Sequence, residues 1–113
     1  MTKVLYLVLS GEDSPQKFDL AIISGLRSIE NKRFEDLKLL FFGPSENMLA
    51  KAKGERAENI KKLIEMKAVD SACVAVAKNN GIENDLKLLG VSQEPYGARL
   101  AHFLSEGYAV VTF

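Results

Sequence analysis

The sequence predicts an α/β fold: a single three-layer domain over residues 1–113, with a mostly parallel five-stranded sheet and helices on both faces. Three observations carry this expectation. Continuous apolar runs of strand-forming residues recur, of the kind found in strands covered on both faces. Segments with apolar residues at helical spacing lie between those runs. Gly, Pro and Ser stand at the joints. Strands alternating with helices imply a parallel sheet, because parallel neighbours need a crossover between them, usually a helix.

The first run, Val4-Leu5-Tyr6-Leu7-Val8-Leu9, is a buried strand ended by Ser10-Gly11. Ser14 suits a helix N-cap and Pro15 the first turn. Phe18, Ala21, Ile22, Gly25, Leu26 and Ile29 then form one apolar stripe, and Asn31 closes the helix. Residues 37–42, Leu-Lys-Leu-Leu-Phe-Phe, make a second strand stopped by Gly43-Pro44, and Ser45 is placed as the cap of a short helix carrying Met48, Leu49 and Ala52. Gly54 interrupts that helix. The next places Ile60, Leu63 and Ile64 on one face. Residues 69–73 form a third, less apolar strand, and residues 74–80 a short helix with Gly81 as its left-handed stop. A further turn covers 85–89, and Gly90-Val91 opens a minor strand. Pro95 starts the last helix, with Tyr96, Leu100, Phe103 and Leu104 on a shared face. Gly107 ends it, and residues 108–113 close the sheet.

A chain of 113 residues is long enough to bury about two thirds of its unfolded surface, so it needs no disulfide or metal to hold a core. Fifteen basic residues balance fifteen acidic ones, which argues against nucleic acid as a partner. The cluster Lys51, Lys53, Arg56, Lys61 and Lys62 is interleaved with Glu55 and Glu58 and reads as a solvated helix face. One cysteine permits no internal disulfide and suits a reducing, cytoplasmic setting. No run approaches the roughly 20 apolar residues that span a bilayer, so no membrane partner is expected. No Walker sequence and no G-x-G-x-x-G is present, so no nucleotide cofactor is expected.

In open parallel sheets, ligands bind beyond the carboxyl ends of the strands, near the switch in strand order. Three loops qualify: Ser10-Gly11-Glu12-Asp13, Gly43-Pro44-Ser45, and the turn at Cys73. Cys73 stands where a strand gives way to a helix, so unpaired amides there would favour its thiolate, the nucleophilic form. A buried packing cysteine between Ala72 and Val74 is the competing reading. His102, the only histidine, sits beside the last helix's apolar stripe and reads as a surface residue, with a Cys-His pair as the alternative. One Cys and one His cannot build a structural zinc site without many carboxylates, so no metal is expected. Glu12 and Asp13 read as loop acids before a helix, with general acid–base work as the alternative.

The segment Ala72-Cys73-Val74-Ala75-Val76-Ala77-Lys78-Asn79-Asn80-Gly81-Ile82 resembles the cysteine region of the DsrE/DsrF-like (YchN-like) family. There a strand ends in Cys, a helix of small residues follows, and a Gly-Ile stop comes next. The opening Val-Leu-Tyr-Leu-Val-Leu strand, the Leu-Leu-Phe-Phe-Gly-Pro strand and the closing Glu-Gly-Tyr-Ala-Val-Val-Thr-Phe also resemble that family, so the likeness runs along nearly the whole chain. It implies a flavodoxin-like fold, assembly as a homo-oligomeric trimer or hexamer, and a persulfide carried on Cys73 between sulfur-donor and sulfur-acceptor proteins. The chain departs from the family's relay members in having Lys78-Asn79-Asn80 where an arginine-rich turn often occurs. Two functions of different class follow: a sulfur carrier or sulfurtransferase subunit acting through Cys73, and a non-catalytic oligomeric binding or assembly module in which Cys73 is packing. An enzyme acting on a small ligand at the Glu12/Asp13 end of the sheet is the third.

Overall fold

A computed structural model describes residues 1–113. Five strands, β1 (Lys3–Val8), β2 (Asp36–Phe41), β3 (Val69–Cys73), β4 (Gln93–Glu94) and β5 (Ala109–Thr112), form one sheet in the order β4-β3-β2-β1-β5. Every pairing is parallel. Six helices connect them: α1 (Pro15–Glu30), α2 (Pro44–Ala50), α3 (Gly54–Glu65), α4 (Val74–Asn79), α5 (Glu83–Leu89) and α6 (Tyr96–Ser105). None is long and apolar enough to cross a membrane.

The strand order decides which face each helix covers. From β1 to β4 the chain always steps in the same direction, and right-handed crossovers then keep α1 to α5 on one face. From β4 it returns across the sheet to β5, which sends α6 to the other face. The core divides accordingly. Alternate residues of β1, namely Val4, Tyr6 and Val8, pack with Phe18, Ile22, Ile60, Leu63, Ala77 and Leu86 in the larger cluster. Leu5 and Leu7, with Leu40 of β2, meet Phe103 of α6 in the smaller one. The continuous apolar spelling of β1 is thus explained by burial on both sides.

Several local expectations need correction. Ser14 occupies the N-cap of α1, but its hydroxyl makes no capping bond. Gly43, not Ser45, is the N-cap of α2. Ser45 lies inside the helix, fully buried, and its Oγ donates to the Val8 carbonyl at 2.6 Å, tying α2 to the end of β1. Gly90 is the left-handed cap of α5 (φ 90°), and the minor strand starts later, at Gln93. Leu104 is 55% exposed rather than buried, because α6 lies alone on its face and buries only a narrow stripe around Phe103. All four residues of β5 are exposed, since β5 is an edge strand.

Between β2 and β3 the register slips by one residue. Leu39 pairs with Val69 but Leu40 pairs with Ser71, leaving Asp70 as the extra residue of a β-bulge. Asp70 is held by Arg99 of α6 through two bonds, Nη2 to Oδ1 at 2.7 Å and Nε to Oδ2 at 3.0 Å. Ser71 Oγ donates to the same carboxylate at 2.9 Å. In the first turn of α6, Tyr96 stacks on Phe42 with ring centroids 4.0 Å apart. These contacts clamp α6 against the carboxyl end of β2 and the amino-terminal half of β3.

Candidate functional site

Cys73 is the last residue of β3 and the N-cap of α4, so the expected strand-to-helix junction is present. Its partner across β4 is Glu94. The connection leaving β3 enters α4 and α5, on the face of the larger core, whereas the one leaving β4 enters α6, on the face of the smaller. Adjacent strands whose connections depart to opposite faces create the switch-point crevice of an open α/β sheet. Cys73 therefore stands where the fold places ligands.

The thiol is nevertheless enclosed. Cys73 is 5% exposed and makes no side-chain capping bond. Helix α4 has six residues, under two turns, so the expected help from its amides is that of a very short helix. None of the molecule's five surface depressions is lined by Cys73. The largest, about 410 Å³, lies between α1 and α3 beside the Asp19–Arg56 ion pair.

The three loops named from the sequence do converge. Gly11 packs so closely on the α2 start that a Cβ there would stand 2.2 Å from the Pro44 carbonyl oxygen. The Ser45 amide donates to the Leu9 carbonyl at 3.0 Å. The remaining member of the cluster is Glu46, which the sequence reading did not single out. Its side chain is fully buried. The Gly43 amide donates to Oε2 at 3.2 Å, one half of a capping box; glycine has no side chain to supply the other half. Oε1 is buried with no hydrogen-bond partner. Burial pushes the carboxyl up to about 7, opposed by the backbone amides of Gly43 and Cys73, the latter placing Glu46 at the β3–α4 junction. The signal in the sequence was an acid three residues after Gly43, directly behind Pro44-Ser45; nothing in the sequence marked it as buried.

The other candidates fall apart from this cluster. His102 is exposed in the second half of α6, its ring edge-on to Phe103, and forms no pair with buried Cys73. Asp13 Oδ1 accepts the Gly11 amide at 2.8 Å and shapes the loop, while Glu12 is exposed. No group of three or more His, Cys, Asp or Glu residues is arranged to hold a metal. Of the basic cluster, Arg56 is bound to Asp19 at 2.7 Å, and Lys51, Lys53, Lys61 and Lys62 are exposed among acids.

No family model matches the sequence, and no curated protein does. Solved structures do match the fold. A conserved protein of unknown function from Bacteroides thetaiotaomicron superposes with a TM-score of 0.82 at 16% identity, covering 98% of this chain and 95% of its own. A protein of unknown function from Methanobacterium thermoautotrophicum gives 0.72 at 19% identity, with 100% of both chains covered. The ychN protein of E. coli gives 0.74 at 12% identity, again over 100% of both. At such identities the likeness is one of fold, and it extends over the whole chain: this protein has the parallel, flavodoxin-like α/β fold that the ychN protein shares.

Proposed function

We propose that this protein is a sulfur carrier in which Cys73 accepts a sulfane sulfur and passes it to a thiol of a partner protein. The observation that carries the reading is the position of the chain's only thiol at the β3–β4 switch-point crevice, in a segment resembling the cysteine region of the DsrE/DsrF-like family. In the loading step, the Cys73 thiolate attacks the outer sulfur of a donor persulfide R–S–SH. A new Sγ–S bond forms, the donor S–S bond breaks, and R–S⁻ leaves and takes up the proton that Cys73 lost. Nothing is oxidised or reduced overall. A thiol this enclosed reacts with a small persulfide that enters beside the carboxyl edge of the sheet, or with a donor protein docked against that edge. The reading includes a reducing, cytoplasmic location and a homo-oligomer, trimer or hexamer. Incubation with a low-mass persulfide followed by intact mass measurement tests it. One added sulfur on the wild type and none on Cys73→Ser is expected; an unmodified wild type, under conditions that load a known carrier, overturns it.

A second reading is favoured by a different observation. Edge strand β5 is exposed along its length, with Val110 37% and Val111 44% accessible, while Cys73 is shut away. These features suit an assembly module whose sheet edge docks against another copy, with Cys73 as packing. Light scattering on the wild type and on Val111→Lys reads the assembly. A Cys73→Ser protein with unchanged partner binding would favour this reading over the first.

A further inference from the structure

Glu46 is the one acidic side chain in the molecule that is fully buried. One carboxyl oxygen is satisfied by the Gly43 amide, and the other, Oε1, has no partner. A buried polar atom left unpaired is costly, and a native fold rarely keeps one without a use. Strand β2 ends beside β3, with Phe41 paired to Ala72, so α2 leaves the sheet next to Cys73, whose amide acts on the Glu46 carboxyl. Both residues sit at the carboxyl edge of the sheet, Glu46 in the first turn of α2 and Cys73 at the head of α4.

We infer that Glu46 is the hydrogen-bond donor that holds the outer sulfur of a Cys73 persulfide. This rests on the sulfur-carrier reading and adds the group that makes the loaded state stable. With its carboxyl pushed up to about 7 by burial, Glu46 carries a proton for much of the time near neutrality and then offers an O–H with no acceptor. A persulfide ends in an acidic S–H, and its anion is the acceptor that the Glu46 O–H lacks. A neutral acid is also the form that avoids placing two negative charges in one buried site. No ionisable side chain contributes to the carboxyl's balance: Glu12 and Asp13 in the loop after β1, Lys78 on α4 and Glu94 on β4 all leave it to burial and the two amides. At hand-off the Glu46 proton passes to the outer sulfur. A partner thiolate attacks that sulfur, the Sγ–S bond breaks with its electron pair going to Cys73, and Cys73 and Glu46 then take protons from solvent.

The test loads wild type, Glu46→Gln and Glu46→Leu with cysteine persulfide and follows the retained sulfur by intact mass from about pH 6 to about pH 8.5. Gln supplies a donor that does not titrate; Leu supplies none. Wild type and Glu46→Gln should hold sulfur alike at the acid end. Retention by the wild type should fall as Glu46 ionises, while Glu46→Gln stays level. Glu46→Leu should lose sulfur about tenfold faster or more at the acid end, the worth of a hydrogen bond to a charged group. Should Glu46→Leu fail to fold, the contrast between wild type and Glu46→Gln decides alone. Equal retention by all folded variants at every pH overturns the role of Glu46 and leaves the carrier reading standing. A wild type that takes no sulfur overturns both.

Discussion

Replacing Glu46 by Gln removes an ionisation that the folded protein opposes. In the unfolded chain the carboxyl ionises at its ordinary 4.5, and in the native state burial holds it up to about 7. Across that window the native state keeps a proton that the unfolded state has released. Stability must therefore fall as pH rises from 4.5 to about 7, and level off above. Converted at about 1.4 kcal/mol for each pH unit, the whole displacement corresponds to about 3 kcal/mol, a large fraction of a small domain's stability. Urea unfolding at a series of pH values measures it. The informative quantity is the difference between wild type and Glu46→Gln, because every other titrating group is common to both. The wild type should lose about 2–3 kcal/mol relative to the variant between about pH 4.5 and about pH 7.5. Parallel curves would show that the carboxyl ionises freely in the native state and would refute both its burial and its unpaired oxygen.

Other outcomes follow from features at the same end of the sheet and at its opposite end. Gly11→Ala should cost about 1–3 kcal/mol in thermal or urea unfolding, since the new methyl meets the Pro44 carbonyl and one loop must move; an unchanged midpoint would show that the loops are not in contact. Arg99→Met keeps the stem of the side chain but leaves Asp70 with only the Ser71 hydroxyl. It should destabilise by about 1–2 kcal/mol, the side chains being partly solvated, and high salt should narrow the gap. Tyr108 is pushed up to about 12 by burial and by its hydrogen bond to Asp36. Its ultraviolet titration should shift to lower pH in Asp36→Asn, and identical titrations would disprove that bond.

The strands were legible because their apolar runs report burial on both faces, and the all-parallel sheet follows from the helices between them. Cys73 was legible because a strand-to-helix junction has a sequence signature. Glu46 was not. An acid in the first turn of a helix ordinarily faces water and stabilises the helix dipole, and the burial of this one depends on β1, β2 and β3 meeting at Ser45 and Gly43. Asp70 and Arg99 are far apart in the chain, and only the bulge brings them together. Leu104 lies on the correct face of a helical wheel but on a helix with no neighbour, so the wheel overstates what is covered.

The bulge in β3 also fixes what the strand tolerates. Residue 70 is supernumerary: the alternation of Val69, Ser71 and Ala72 against Leu39, Leu40 and Phe41 keeps step as though it were absent. Excising that one position would thus leave the thiol in its layer while cutting the tether of the lone helix on the sparse side. Adding a residue between Ser71 and Cys73 would instead rotate the thiol into the opposite layer. In this strand the anchor is a removable appendix, and the position of Cys73 is locked by parity.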